Sequence, residues 1–516
     1  MFTEYSQCVK MSNTARAGPE YSAYRRDVES IIRIIVRQDK TRAYRRENFC
    51  PRLRALNPAN YRVIKLENRK ENRMGTLPIP KLLVSMSVPI MASMLIQALY
   101  NVVDSIFVAQ VSEDALTAVS LAFPVQTMMI AVAVGTAIGI NALLSRRLGE
   151  KNYAEANLIT ANGIFLSLLN TLAFVLFGCF GIKAFFSAFV EPGAVMRMGV
   201  AYTSIVSIAS FGIFFGITGE RLLQATGITI YSMYSQMAGA ITNIILDPIL
   251  IFGLLGAPKM GVAGAAVATV GGQFVSLLLV YYFNIKKNHE ISLSMKGFRP
   301  SGRIIADIYR VGLPSIIMQS IGTVMTFGMN KILILFSATA VSVLGIYFKL
   351  QSFVLMPVFG LTSGMIPVVG YNYGARNRER IVQTVKLACL IALSITVVGL
   401  ALFQIFPEMI LNRLFRASEA MLSIGVPALR IISLHFPLAA VAIVLSSAFQ
   451  ALGKGMYSLV MSVSRQLVVL LPAAYLLGRF VSLQALWLCF PIAEVVSLTM
   501  AIVLYRGLYE REIKSL

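Results

Sequence analysis

Charge is scarce in this sequence. Asp, Glu, Lys and Arg make up 14% of its 516 residues, while 57% are hydrophobic and the mean hydropathy is +0.72. A water-soluble chain of this length needs far more charge, so a soluble fold is excluded. Paired cysteines are missing too. Cys8, Cys50, Cys179, Cys389 and Cys489 are scattered, with no close pair and no metal-ligand spacing, which argues against a disulfide framework or a cysteine metal centre. No nucleophile–base pair, phosphate loop or metal cluster stands out, so neither an enzyme nor an organic cofactor is expected. The polar N-terminus lacks the apolar segment of a cleavable signal peptide.

What the chain has in quantity is long apolar runs. Twelve are visible, over 82–109, 116–144, 157–182, 198–223, 231–256, 262–285, 308–336, 341–370, 381–406, 424–450, 456–478 and 482–506. Each is long enough to cross a hydrocarbon core of roughly 30 Å. Only helices and closed barrels satisfy their backbone in lipid, and these runs are too long and continuous for barrel strands. The expected fold is an all-α membrane protein of twelve transmembrane helices.

The net charge of +22 belongs to membrane topology and not to nucleic-acid binding. Turns after even-numbered runs hold Arg146, Arg147 and Lys151; Arg221; Lys286, Lys287, Lys296, Arg299 and Arg303; Arg376, Arg378 and Arg380; and Lys454. Turns after odd-numbered runs are poorer in cations. The positive-inside rule then places both termini in the cytoplasm, with the chain in the cytoplasmic (inner) membrane. Residues 1–74 stand apart, with 17 Lys/Arg against 8 Asp/Glu. They cannot bury a core and are expected to be disordered or to lie on an anionic lipid surface; an alternative is that the working protein starts near Met74. The remainder divides into a lobe at 75–285, a cytoplasmic linker at 286–303 and a lobe and tail at 304–516.

The two lobes repeat one another. A shift of 225 residues superimposes Pro89 on Pro314, Gln126 on Gln351, Gly135 on Gly360, Gly139 on Gly364, Gly149 on Gly374 and Asn152 on Asn377. A shift of 226 then matches "QATGITIYS" (224–232) with "QALGKGMYS" (450–458). Units of six spans share one orientation, so these are parallel repeats, an arrangement that commonly builds secondary transporters. The Gly135/Gly139 and Gly360/Gly364 spacing is explained by close helix packing.

Against this background an embedded carboxylate needs a reason. Asp104 is read near the middle of the first run, in "YNVVDSIFVAQ". An ionised Asp at the bilayer centre costs about 2.5–3.5 kcal/mol on insertion scales. It persists where it faces the bundle interior, pairs, or takes up a proton or cation. The fifth run, "AGAITNIILDPILIF", places Asn243 and Asp247 four apart on one helical face, ahead of Pro248. Facing Asp104 they would form an oxygen-rich pocket for H⁺ or Na⁺; the plain alternative is an interhelical hydrogen-bond cluster. Lys331, Lys349, Arg430, Arg465 and Glu494 are also embedded; they pair, line a cavity or snorkel, and no role is assigned to them. His435, in "SLHFPL", reads first as a packed, hydrogen-bonded residue.

With these segments in view, the chain resembles the multidrug and toxic compound extrusion (MATE) family over about residues 75–510. The resemblance is carried by "GTLPIPKLLVSMSVPIMASMLIQALYNVVDSIFVAQVSEDALTAVSLAFPV", "RRLGEKNYAEAN", "LLQATGITIYSMYSQMAGAITNIILDPILIFGLLGAPKMGVAGAAVATV" and "GYNYGARNRERI". It implies two six-helix lobes around a cavity, and export of organic, often cationic, compounds in exchange for H⁺ or Na⁺. By position it implies that Asp104, Asn243 and Asp247 form the cation site, with Thr269 as a further ligand and Pro89 where the first helix bends. Gln97, Tyr100 and Gln273 are the candidate cavity residues. The chain departs from members with acids in helices 7 and 10, since it has Asn330 and Lys331 in span 7 and no acid in span 10, which puts a cation site in the second lobe in doubt. The expected partners are small organic substrates and membrane lipids, with the protein working as a monomer. Two other readings stay open: a lipid-linked saccharide flippase, which calls for a cationic cavity, and a non-transporting sensor or scaffold using residues 1–74 as its arm.

Overall fold

The structure, a computed structural model, describes residues 72–516 apart from Lys296 and Arg416 and the side chains of residues 101–106, 108, 109 and 113. The reading of the basic extension, up to residue 71, therefore lies outside the described residues. The helices are α1 (Ile79–Ala109), α2 (Glu113–Gly149), α3 (Tyr153–Leu176, continued through a π turn at Phe177–Gly181 to Ile182–Ser187) and α4 (Ala194–Ile208 and Phe211–Ala225). Then follow α5 (Thr229–Phe252), α6 (Val262–Lys286), α7 (Gly302–Leu333), α8 (Ala338–Gly374), α9 (Arg378–Ile405) and α10 (Glu419–Ser433 and Phe436–Ala451). The last two are α11 (Gly455–Val463, a π turn at Ser464–Leu470, then Leu471–Phe480) and α12 (Leu483–Leu486 and Cys489–Leu508). They coincide with the twelve apolar runs. Ten are long and apolar enough to cross a membrane singly, and α4 and α10 complete the twelve as spans bent by 44° and 47°.

Two sequence expectations are corrected. Arg221 is not a turn residue, because α4 runs on to Ala225 and buries both Arg221 and its neighbour Glu220. Asp104 is not at mid-span: α1 ends at Ala109, which leaves Asp104 little more than one turn from that end.

The repeat extends to local chemistry. Ser112 and Ser337, 225 apart, cap α2 and α8 by accepting from the amides of Ala115 and Ala340, each at 3.0 Å. Asn152 and Asn377 cap α3 and α9 in the same way. Pro89 lacks the amide that would occupy the carbonyl of Ser85 one turn back; the Thr229 hydroxyl of α5 donates to that carbonyl instead, at 3.3 Å. In the second lobe Pro314 frees the carbonyl of Arg310, and Gly455, the counterpart of Thr229, lies against it.

Glycines set how the lobes meet. A Cβ at Gly135 would lie 2.9 Å from the carbonyl oxygen of Gly312 on α7, and one at Gly139 would enter that of Ile308. The mirror contacts place Gly360 and Gly364 of α8 on the backbone of Met91 and Ser87 of α1. At the helix ends, Gly149 abuts the backbone of Tyr371 and Gly374 that of Arg146. The short segment before α1 ties in as well: Arg380 donates to the carbonyls of Met74 (2.9 Å) and Leu77 (2.8 Å), and Asn72 to that of Thr226 (3.4 Å).

These contacts concentrate at one end. Toward the Arg-rich turns the cores are shared between lobes: Leu82, Met86, Ile140 and Leu144 pack with Ile308, Val368 and Tyr371, and Leu83 packs with Val358 and Leu361. Toward the opposite end each lobe has its own core. Ala115, Ala122, Phe186, Tyr202 and Ile251 form one, and Met329, Leu344, Tyr347, Phe436 and Trp487 form the other. The lobes are joined at one end and separate toward the other.

Candidate functional site

The site is built on α5, held between α1 and α6. Two contacts fix the register of α1 and α5, which run in the same direction. Thr229 bonds to Ser85 near their first turns, and Phe107 meets Phe252 edge-on with ring centroids 6.2 Å apart near their last. Asp104 is 19 residues beyond Ser85 and Asp247 is 18 beyond Thr229. At about 1.5 Å per residue the two backbones reach the same level. The side chain of Asp104 lies outside the described residues.

Asn243 and Asp247 are both buried, and the Asn243 amide approaches the Asp247 carboxylate at 3.4 Å. The Asn243 Oδ1 is buried without a hydrogen-bond partner among the described residues. Buried polar atoms are rarely left bare, so this oxygen is available to a ligand. α6 runs antiparallel to α5 and touches it backbone to backbone. A Cβ at Gly272 would lie 2.6 Å from the Gly239 carbonyl oxygen and 3.1 Å from the Asn243 Cβ, and Gly264 abuts Leu250. This register sets the half-buried Thr269 level with Asn243. Asn243 and Asp247 are thus brought together, with Thr269 of the packed α6 and the backbone of Asp104 at neighbouring levels. The site lies in the half of the lobe that has its own core, toward the separated end.

The candidate cavity residues are more dispersed. Gln97 is exposed and Tyr100 half-buried on α1. Gln273 turns toward α4, where it lies against Gly212, and its buried Oε1 has no partner among the described residues. Pro89 lies inside an uninterrupted α1.

The sequence profile of the MatE family matches residues 89–249 and again 314–476. These two segments cover more than half of the chain and begin 225 residues apart. This chain belongs to the MATE family. MATE membership also accounts for the relatives found. The multidrug export protein MepA of Staphylococcus haemolyticus is 25% identical over 438 residues, covering 84% of this chain and 94% of that protein. A multidrug resistance MATE transporter solved in an outward-facing conformation aligns with a TM-score of 0.82 at 26% identity, over 87% of this chain and 99% of its own. A transporter of the wider superfamily from Pyrococcus furiosus, described as having a binding pocket of reversed polarity, aligns with a TM-score of 0.80 at 27% identity, over 85% and 98%.

In this MATE protein the sequence reading missed a buried polar group. Glu220 accepts from the Gln236 amide at 2.6 Å, and Arg221 donates to Gln224 at 2.8 Å. An adjacent Glu–Arg pair near the end of an apolar run looks like the start of a turn, which hid it. Among the described residues no set of three or more His, Cys, Asp or Glu is grouped to hold a metal.

Proposed function

We propose that this MATE protein is a cation-coupled antiporter that exports small organic, predominantly cationic compounds across the cytoplasmic membrane by alternating access, with H⁺ or Na⁺ as the coupling ion. One observation carries the reading: the buried Asn243–Asp247 pair on α5 lies at the level of Asp104 on α1, beside the separated ends of the lobes. A carboxylate there is close enough to the outer aqueous phase to load a cation and buried enough for the cation to change its energy. The cation-rich turns at the joined end support cytoplasmic termini, so this state is open to the outside. Cation binding favours one arrangement of the lobes and substrate binding the other, and each ligand thereby helps to release its partner. Pro89 is the hinge of α1 in this scheme. The helix carries no amide–carbonyl bond there, and Thr229 holds the freed carbonyl only by a side chain that can let go. Substrate is taken up by the surfaces around Gln97, Tyr100 and Gln273. The protein acts as a monomer, in contact with lipid and without a cofactor beyond the ion.

The test is efflux of a fluorescent organic cation from cells lacking their own pumps, under a proton or a sodium gradient. Wild type drives efflux with one gradient, which names the ion. Asp104→Asn and Asp247→Asn each lose gradient-driven efflux. Undiminished efflux in the double variant sinks the antiporter reading.

A further inference from the structure

The linker between the lobes is laid down on one face of α3. Asn157 Oδ1 accepts from the Ser292 amide at 2.7 Å, and Asn162 Oδ1 from the Ser301 amide at 3.0 Å. Between these two anchors Phe298 meets Phe165 with ring centroids 5.9 Å apart. Ile291 and Leu293 of the linker join the core shared by the lobes, beside Ile304 and Ile305 at the start of α7. The seam between α3 and α7 is thereby covered by the chain itself.

The repeat places the same face on α9, at the seam with α1. At the 225-residue shift Asn157, Asn162 and Phe165 correspond to Val382, Leu387 and Leu390, and Ile304 and Ile305 correspond to Ile79 and Pro80. The two asparagine anchors are thus replaced by apolar side chains. Here the face is open. A groove of about 460 Å³ runs along it, lined among others by Ile79 and Pro80 of α1, Lys386, Leu390 and Leu393 of α9, and Val441 of α10. Its floor belongs to the joined end of the lobes. Ile79 is part of the shared core, and Leu387 packs against both that core and the one around Leu83 and Val358. One wall of the groove therefore comes from each lobe.

The chemistry of the lining says what fits. Lys386 is its charged side chain, exposed and without an ion-pair or hydrogen-bond partner among the described residues. The nearest acid on α9 is Glu379, seven residues away or about 10 Å along the axis, and it accepts from Gln383 at 2.9 Å. The rest of this end is cationic, with Arg376 and Arg378 in the turn and the exposed Lys81 next to Pro80. Lys386 lies eight residues past the start of α9, about 12 Å in. At that depth the stem lies along apolar surface and the ammonium reaches back toward the headgroups. Deeper in, Leu390 is 61% exposed, and Leu393 and Val441 continue the apolar lining. A cation at the head of an apolar slot matches a phosphate ester carrying a hydrocarbon chain. It repels a cationic substrate or a basic peptide.

We propose that this groove binds an anionic phospholipid, with its phosphate at Lys386 and one acyl chain along Leu390, Leu393 and Val441. Basic pockets between membrane helices take anionic headgroups in this way. Because the walls come from both lobes, the bound lipid ties α1 to α9 and α10. It favours the arrangement in which this end is joined, and is held less tightly when the end opens. The lipid does at the second seam what the linker does at the first. Its binding stands apart from the antiporter reading.

The test is made on the purified full chain in detergent micelles, without substrate. It is titrated with phosphatidylglycerol or with phosphatidylcholine carrying the same acyl chains, and bound lipids are counted by native mass spectrometry. Wild type holds phosphatidylglycerol more tightly than phosphatidylcholine. Lys386→Gln lowers that preference about fivefold, the effect of one cation beside an anionic lipid, and Lys386→Arg keeps it. Leu390→Trp, which fills the exposed slot, weakens the retention of both lipids. Phosphatidylglycerol raises the unfolding temperature of wild type more than that of Lys386→Gln, and inorganic phosphate raises neither. Equal retention of the two lipids by wild type, or a preference unchanged in Lys386→Gln, overturns the proposal. A dimer mass in place of the lipid-bound chain also overturns it, since the occupant is then a second copy.

Discussion

Gly149→Ala probes the joined end of the lobes most directly. A methyl group at Gly149 falls inside the carbonyl oxygen of Tyr371 and 3.0 Å from the amide of Ala375. The obstructing atoms are backbone, on the other lobe, so no rotamer change relieves the clash. Forced overpacking of this kind costs about 1–3 kcal/mol. The contact exists only where the lobes meet, so the cost falls on the state described here and spares one in which this end opens. At about 1.4 kcal/mol per tenfold, the balance between states shifts by roughly 5- to 150-fold. Gly374→Ala makes the mirror clash with Arg146 and, 3.0 Å away, the amide of Glu150, so it produces the same shift. Spin labels on the exposed Ser120 of α2 and Ser342 of α8, in a background freed of native cysteines, read the separation of the outer ends. Both variants enrich the short-distance population. A distance distribution identical to wild type in either variant, with unchanged thermal unfolding, would refute this account of the junction.

Smaller perturbations give further checks. Thr229→Val leaves the Ser85 carbonyl without its side-chain donor, at a cost of about 1–3 kcal/mol where it stays dry, seen as a lower unfolding temperature in detergent. Ser112→Ala and Ser337→Ala each remove one cap, cost about 1 kcal/mol, and lower thermal stability by similar amounts because their geometry is the same. Asp104→Asn and Asp247→Asn abolish gradient-driven efflux while leaving the protein folded, as read by size-exclusion profile and helical circular dichroism.

The number and bounds of the helices were legible because lipid leaves a segment few choices, and the shared caps were foreshadowed by the Asn152/Asn377 match. The pairing of α5 with the level of Asp104 was legible in residue type, but its register depended on Thr229 and Phe107, which no spacing rule singles out. The break in α10, at Leu434–His435, has a signal in Pro437, which has no amide to bond the Ser433 carbonyl one turn back. The break in α4, at Ala209–Ser210, has no proline to mark it. The partnership of Arg465 with Glu494, at 3.2 Å, was hidden because the two residues are 29 apart on separate helices.

The wide turn at Ser464–Leu470 has a consequence for the phase of α11. A turn wider than that of an ordinary helix rotates the residues beyond it relative to those before it. Both halves of α11 nevertheless bury a face, with Leu459 and Met461 before the turn and Leu470 and Ala474 at and beyond its end.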